Sequence, residues 1–221
     1  YVNYSFFNAA HAAQGCLLAT NPKRDSNYTH NIILDAAEAR LLHFGYNKTT
    51  MAEIAEDAGM SAANLYRYFK NKQEIAAECA TRCMDERLER LRRIVSDETL
   101  DPSQKLERYA LELVDDSHAL AGPDSRVGEL VDNIARERSD LIHSRNVIHH
   151  QLLTQILIEG GDRGEFKVQN PADTARYIFS TLFLFDVPLF VGLFDRAEFE
   201  DRARGVAQLI INGLRACPDA A

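Results

Sequence analysis

Apolar residues return every third or fourth position along most of the chain after residue 28, a spacing that places them on one face of a helix. Prolines, glycines and capping residues interrupt the pattern and divide it into separate helices. No segment shows the alternation typical of a strand. Beyond residue 71 the pattern predicts helices over 72–95, 102–120, 126–138 and 139–159, one beginning at Pro171, and a last one over 198–215. The sequence therefore predicts an all-α protein.

Two short helices separated by a turn are predicted within residues 49–72. A hydroxyl of the pair Thr49-Thr50 can cap the first helix, whose inward residues include Ile54 and Ala58. Gly59 tolerates the positive φ that a sharp turn requires, and Ser61 is a good N-cap for the second helix. This order of helix, glycine turn and helix is the layout of a helix-turn-helix unit.

The second helix of this unit has an apolar and a polar side. Leu65 and Phe69 are four residues apart and are predicted to face the core, which leaves Arg67 on the opposite side, where it can make paired hydrogen bonds to a guanine. Lys72 begins the next helix and is predicted to hold a phosphate. The predicted DNA-contacting residues are Thr50, Ser61, Ala62, Ala63, Asn64, Tyr66, Arg67, Tyr68, Lys70 and Lys72. The alternative is a helical hairpin whose polar face is only solvated.

This stretch resembles the N-terminal domain of the TetR family of bacterial transcriptional repressors. The resemblance covers residues 29–75, and it has two departures: Arg40 stands in the stripe of the first helix where the family usually has an apolar residue, and Ala63 replaces a frequent glycine. Phe44, where a polar residue is common, makes the packing of that first helix harder to predict. The matching residues are Thr49-Thr50, Ile54-Ala55, Ala58-Gly59, Ser61, Leu65-Tyr66, Phe69 and Lys72, with Ile33–Ala37 and Gly45-Tyr46 upstream.

The resemblance implies a domain organisation and a mechanism. Residues 28–75 would form a three-helix DNA-binding domain, joined by a long helix to an effector-binding and dimerisation domain over 76–221. Residues 1–27 are expected to be a loosely ordered extension. The implied function is a repressor that a small-molecule effector releases from its double-stranded DNA operator.

The family also implies where two copies meet and where an effector binds. In TetR-family proteins the last two long helices of each subunit form a four-helix dimer interface. The corresponding residues of this chain would be Phe179, Leu182, Phe183, Val206, Leu209 and Ile210. The alternative is that these faces only close the core of one chain. The effector pocket is predicted from Tyr109, Leu113, His118, Ile134, Ile148, Leu152, Tyr177 and Phe183, with a core role as the alternative for many of them.

Charge and composition fit a regulator better than a membrane protein or an enzyme. The net charge is −8, but residues 28–72 carry five basic and five acidic residues, so the acidity lies outside the DNA-reading unit. The longest apolar stretch, 181–194, is interrupted by Asp186 and Pro188 and is too short to cross a bilayer. No His-Glu-x-x-His or Gly-x-Ser-x-Gly motif occurs. We predict no catalytic residues and no cofactor.

The cysteines and histidines suggest one further alternative. The four cysteines form no Cys-x-x-Cys motif, which favours reduced thiols and a cytoplasmic location. Cys79 and Cys83 are four apart on a helix, and we expect them to pack rather than to sense redox state or metal. His143 and His150 share a helix face without a third ligand nearby, so no metal site is predicted. A redox- or metal-responsive regulator and a protein-interaction module remain the alternatives.

Overall fold

Nine α-helices and one short 3₁₀ helix make up the part of the chain that the computed structural model describes, residues 22–121 and 125–215. An isolated pair of bridging residues, Phe166 and Arg215, is the one β-type contact in that part. The prediction of an all-α fold is therefore confirmed. The helices are α1 Pro22–Phe44, α2 Met51–Asp57, α3 Ala62–Leu65, α4 Lys72–Ser96, α5 Pro102–Leu120, α6 Val127–Glu137, α7 Ser139–Asp162, α8 Pro171–Asp186 and α9 Arg196–Leu214, with the 3₁₀ helix Pro188–Leu193 between α8 and α9.

Side-chain caps explain where several helices begin. Asn71 caps α4 by accepting from the backbone N–H of Glu74. Asp101 and Gln104 form a reciprocal capping box at α5, and a proline occupies its first turn. Asp195 caps α9 and starts it at Arg196, two residues before the predicted start.

The described helices enclose two apolar cores. Residues from α1 to α3 and the first half of α4 form the first core, to which α6 adds Leu130 and Ile134. The second core joins the rest of α4 to α5, α7, α8 and α9. Helix α4 thus belongs to both, with Ile75 in the first core and Leu91 in the second. A rigid helix shared in this way ties the two parts of the molecule together.

Three further features differ from the sequence predictions. Helix α1 begins at Pro22, inside the stretch predicted to be a loose extension, while residues 1–21 lie outside the described part. Helix α7 continues past Gly160 to Asp162, and the ring of Phe166 packs directly on the backbone at Gly160, where an added Cβ would lie 2.0 Å from that ring. The 3₁₀ helix Pro188–Leu193 was not predicted.

Candidate nucleic-acid interface and buried cavity

The turn between α2 and α3 is built by the residues that the sequence analysis assigned to it. The Thr50 hydroxyl accepts from the backbone N–H of Glu53, whose carboxylate accepts from the N–H of Thr50 in return. Gly59 has a φ of +67°. Ser61 caps α3 by accepting from the N–H of Asn64 at 3.2 Å. Local capping therefore sets where both helices begin.

The second helix of the unit is short but well anchored. Only Ala62–Leu65 is regular α-helix, and the backbone then continues in helical turns, with the N–H of Phe69 bonded to the carbonyl of Leu65 at 3.1 Å. Leu65 and Phe69 are buried in the first core. Their burial leaves the opposite side of the turn facing outward.

The outward side carries most of the predicted DNA-contacting residues. Tyr66 is 54% exposed. The guanidinium of Arg67 has no hydrogen-bond or ion-pair partner within residues 22–121 and 125–215. The exposed residues are Thr50, Ser61, Ala63, Tyr66, Arg67 and Lys70, whereas Ala62, Asn64, Tyr68 and Lys72 are half-buried. A surface with an unpaired guanidinium, a phenol and a lysine can donate to base edges and phosphates.

Lys72 has a different environment from the one predicted. Its ammonium donates to the carbonyl oxygens of Tyr46 at 2.6 Å and Thr49 at 2.8 Å, and lies 4.2 Å from the centre of the Tyr46 ring. Partial burial lowers the pKa of this lysine. Two of its three N–H groups are therefore used to fasten the loop between α1 and α2, and in this conformation they are not free for a phosphate.

The contacts of Arg40 account for the polar residue that stands in the apolar stripe of α1. Its guanidinium bonds to Asp57 of α2, with a second contact of 3.3 Å to Glu53, and stacks on Phe44 at 5.0 Å. The pairing with Arg40 holds the pKa of Asp57 below its usual range. Arg40 thus joins α1 to α2 and neutralises acidic side chains of α2.

A cavity of about 300 Å³ lies beside the long helix α4. Helices α1, α4, α6, α7 and α8, the end of α5 and the 3₁₀ helix form its wall, which is mostly apolar. The lining residues are Glu38, Leu42, Cys79, Ala80, Cys83, Met84, Arg87, Leu88, Leu120, Val127, Leu130, Val131, Ile134, Ala135, Ile142, Arg145, Asn146, His149, Phe183, Asp186, Val187, Pro188 and Phe190. An apolar cleft of this size with a few polar groups is typical of a small-molecule site.

Only Ile134 and Phe183 of the predicted pocket residues line this cavity. Tyr109 and Leu113 belong to the second core, and Tyr109 is hydrogen-bonded to His149, which lines the cavity. The ring of His118 bonds to the carbonyl of Val114 in its own helix. Ile148 and Leu152 line a separate groove between α4 and α7, and Tyr177 is exposed on α8. These six predicted pocket residues therefore do not line this cavity.

The α6 wall is what the sequence analysis missed. Val127, Leu130, Val131 and Ile134 follow helical spacing and line the cavity together. An apolar stripe on a short helix is the signal that could have identified them, but it does not distinguish a cavity wall from a closed core. The choice depends on which helix lies opposite.

Cys79 and Cys83 also line the cavity, and both are free thiols. Burial raises the pKa of Cys79 to about 12 and that of Cys83 to about 11. Because the thiolate is the reactive form, neither has the electrostatic character of a redox sensor. Among the described residues no group of three His, Cys, Asp or Glu side chains is placed to hold a metal ion.

The predicted dimer residues divide into two sets. Phe179 and Leu182 are buried in the second core, which corrects their assignment to an outer face. Phe183 is 42% exposed and Leu209 is 74% exposed, while Val206 and Ile210 are half-buried. Tyr177, predicted for the pocket, is 66% exposed on α8. The outer surface of α8 and α9 therefore presents Tyr177, Phe183 and Leu209.

Within the described residues, no helix combines the length and the apolar character that crossing a membrane requires. The short α2–turn–α3 unit with an outward guanidinium, attached to a larger helical body that holds a cavity, defines a ligand-responsive class of helix-turn-helix protein. Comparison with known families identifies which one. Residues 33–79 match the model for bacterial regulatory proteins of the tetR family, and residues 102–207 match the tetracyclin repressor-like C-terminal domain. The chain belongs to the TetR family of transcriptional regulators and is not an enzyme.

The matches to individual relatives cover different lengths of the chain. YvkB, an uncharacterised HTH-type regulator of Bacillus subtilis, is 53% identical over 45 residues, 20% of this chain and 24% of that protein. The match to YhgD of the same organism spans 35% of that protein, so the chain matches these two relatives over little more than a third of their length at most. The fatty acid metabolism regulator protein of Bacillus subtilis is 27% identical over 154 residues, 68% of this chain and 77% of that protein.

Solved structures share the fold over almost their whole length. A TetR-family regulator from Mesorhizobium loti has a TM-score of 0.70 at 18% identity, covering 86% of this chain and 98% of that one. FadR of Bacillus subtilis in complex with stearoyl-CoA has a TM-score of 0.65 at 22% identity, covering 84% and 100%. The complex of SmeT with triclosan has a TM-score of 0.60 at 20% identity, covering 86% and 93%. At these identities the likeness concerns the fold alone.

Proposed function

We propose that this protein is a homodimeric repressor that reads a two-fold related DNA operator and is released from it by a small, mainly apolar effector. The observation that carries the proposal is the outward face of the α2–α3 unit, where Arg67 is exposed and unpaired among the described residues above the anchors Leu65 and Phe69. A DNA-binding domain over 28–75 and an effector and dimerisation domain over 76–221 are the units we assign, with α4 shared between them.

The DNA-contacting set follows from exposure and chemistry. Arg67 is positioned to make paired hydrogen bonds to a guanine in the major groove. Tyr66 and Lys70 flank it and reach phosphates, while the small side chains Ala62 and Ala63 let the backbone approach the bases. Lys72 supports the loop behind this surface. The proposed contacts are thus Ser61, Ala62, Ala63, Asn64, Tyr66, Arg67, Tyr68 and Lys70, with Thr50 at the start of α2.

Dimerisation is proposed because one short helix contacts too few base pairs to locate a site in a genome. The exposed apolar side chains Tyr177, Phe183 and Leu209 on α8 and α9 are the surface we assign to it. Exposed side chains of this size are unfavourable in water, and pairing α8 and α9 with a second copy would bury them. The half-buried Val206 and Ile210 lie on the same helix as Leu209 and would extend the contact.

The cavity beside α4 is the proposed effector site. Its wall is mostly apolar, and two proteins with this fold were solved with stearoyl-CoA and triclosan bound. Relatives named KstR2 and SmeT are repressors, which supports repression here. An effector shifts DNA binding only if it prefers one arrangement of the two reading units, so we expect a coupling of about 1–3 kcal/mol.

Selection of duplexes from a random pool tests this function directly. We expect the protein to enrich a palindromic sequence and to bind it with an affinity that falls steeply with salt. Arg67→Ala should lose the enrichment, whereas Arg163→Ala, which removes the same charge from the far end of α7, should keep it. No enrichment by the wild-type protein would favour a module that binds another protein.

A further inference from the structure

The polar groups of the cavity are gathered on one part of its wall. Arg145, Asn146 and His149 lie within little more than one turn of α7, and all three line the cavity. Arg87 of α4 and Asp186 at the end of α8 lie close enough to His149 to influence its pKa. We call Arg145, Asn146 and His149 the polar edge. The α6 wall, by contrast, contributes apolar side chains such as Val131 and Ile134.

His149 lines the cavity, and the second nitrogen of its ring is available as a hydrogen-bond donor. Its ring is buried and stacked on Phe179 at 4.5 Å, and burial lowers its pKa to about 4. Nδ1 lies 2.6 Å from the hydroxyl of Tyr109, which has no other partner among the described residues. The hydroxyl is satisfied as a donor only if Nδ1 accepts from it, and this places the ring proton on Nε2. Nε2–H has no partner in the described part of the chain.

The other members of the polar edge also have donors to spare. The amide of Asn146 makes no hydrogen bond to any described residue. Arg145 uses one terminal nitrogen on Asp85 at 2.7 Å, while its buried Nε has no partner in the described part of the chain. Arg87, next to this edge, likewise has one buried terminal nitrogen to which no described residue bonds. Buried donors without acceptors are costly, so a ligand that supplies an acceptor gains free energy here.

The charges around the cavity are already compensated. Arg87 is paired with Asp186 at 2.8 Å, Arg145 with Asp85, and Glu38 with Arg82. A ligand carboxylate would therefore bring an additional charge into a mostly apolar site in which the described cations, Arg87 and Arg145, already have carboxylate partners. The polar edge therefore needs a hydrogen-bond acceptor from a ligand, and it does not need a further negative charge.

We propose that the effector is an uncharged, mainly apolar molecule with a hydrogen-bond-accepting oxygen, such as a ketone or ester carbonyl, which it places against His149 and Asn146. The inference rests on the proposed function, since it takes the cavity to be the effector site. The apolar body would lie along the α6 wall. A cavity of about 300 Å³ is at the lower end of the range for ligand sites, roughly 300–1,000 Å³, and fits such a molecule without a large polar carrier.

Three probes with the same phenylalkyl body separate these chemistries. Hexanophenone carries a carbonyl, hexylbenzene carries no polar group, and 6-phenylhexanoate carries a charge. Their affinities are measured by displacement of the neutral fluorophore N-phenyl-1-naphthylamine from the full-length protein. We expect 6-phenylhexanoate to bind more weakly than hexanophenone. Tighter binding of the carboxylate would overturn the proposal.

Variants then test which groups form a hydrogen bond to the carbonyl of hexanophenone. Asn146→Leu and His149→Phe should each weaken hexanophenone about tenfold, the effect of losing one buried hydrogen bond, and leave hexylbenzene unchanged. Val131→Ala, the control on the apolar wall, should weaken both probes equally. A parallel change of both probes in Asn146→Leu and His149→Phe would refute the role of the polar edge. Asn146→Leu does not disturb Tyr109, so it remains informative if His149→Phe folds poorly.

The outcomes also distinguish this inference from the proposed function. If all three probes bind with no dependence on the polar edge, the effector cavity stands and the ligand class is wrong. If none displaces the fluorophore while the protein still selects a DNA duplex, both the ligand class and the cavity assignment are wrong, and the DNA-binding function stands.

Discussion

The carboxylate of Glu129 accepts a hydrogen bond of 3.0 Å from the backbone N–H of Asn47, a residue 82 positions away in the sequence. Glu129 lies on α6, the helix that contributes Val131 and Ile134 to the cavity wall, and Asn47 lies in the loop that leads into α2. The backbone at Gly45 is so close that an added Cβ would lie 2.6 Å from the same carboxylate. Helix α6 therefore contacts both the cavity and the loop that leads into α2, the first helix of the DNA-reading unit.

Glu129→Ala should loosen this loop locally. The N–H of Asn47 loses its acceptor, and we expect its hydrogen exchange to become faster while the amides of α5 keep their protection. Nuclear magnetic resonance with residue-resolved exchange measures this. An unchanged rate at Asn47 would mean that the Glu129 contact does not hold the loop in solution.

Arg67→Ala should lower affinity for the selected operator by about 1–3 kcal/mol and relax discrimination at one base pair. The reason is the loss of a guanidinium that is exposed and has no partner among the described residues. Fluorescence anisotropy with the selected duplex and single-base variants measures both effects. Full affinity and selectivity in Arg67→Ala would show that α3 is oriented differently on DNA.

Lys72→Met should reduce folding stability by about 1–3 kcal/mol, because two carbonyl oxygens lose a charged donor. Chemical denaturation followed by circular dichroism measures this loss. Lys70→Met is the matched control, since Lys70 is exposed, and it should leave stability unchanged while reducing the salt dependence of DNA binding. If Lys72→Met alters the salt dependence and not the stability, the predicted phosphate contact is right after all.

The stability of the protein should rise with pH between about 4 and 6.5 because of His149. Burial lowers its pKa in the folded protein from 6.5 to about 4, so the unfolded chain binds the additional proton. The stabilisation is fully present above pH 6.5 and is lost as pH falls toward 4, by up to about 3 kcal/mol. Denaturation at several pH values should show a shallower slope in His149→Phe than in the wild type. His143→Gln, at an exposed histidine, should keep the wild-type slope.

Leu209→Glu should convert the proposed dimer into monomers, because the charge would be buried in the proposed interface of α8 and α9. Sedimentation equilibrium measures the change, and circular dichroism should show an intact fold, since Leu209 is exposed in the single chain. Leu189→Glu, at an exposed leucine of the 3₁₀ helix, should remain dimeric. Dimers of Leu209→Glu would place the interface on another surface.

Sequence and structure agree best where interactions are local. Four helices are capped by a contact to a residue three positions further on, and the capping residues are Thr50, Ser61, Asn71 and Asp101. The start of each helix therefore depends on a few neighbouring residues. Gly59 fixes the turn in the same way through its own φ. The helix-turn-helix unit and the all-α fold followed from such signals.

The cavity and the outer faces depend on the packing of distant segments. Phe179 and Phe183 are one turn apart on α8 and both were predicted for the dimer surface, yet the first is buried and the second is half-exposed beside the cavity. From the sequence Lys72 is predicted to bind a phosphate, but in the folded chain its ammonium donates to the carbonyls of Tyr46 and Thr49. The sequence by itself determined the helices, their caps and the outward face of the reading unit, because these depend on residues a few positions apart. Only the tertiary structure decided which apolar face meets a core, a cavity or solvent, because that depends on which helix packs opposite.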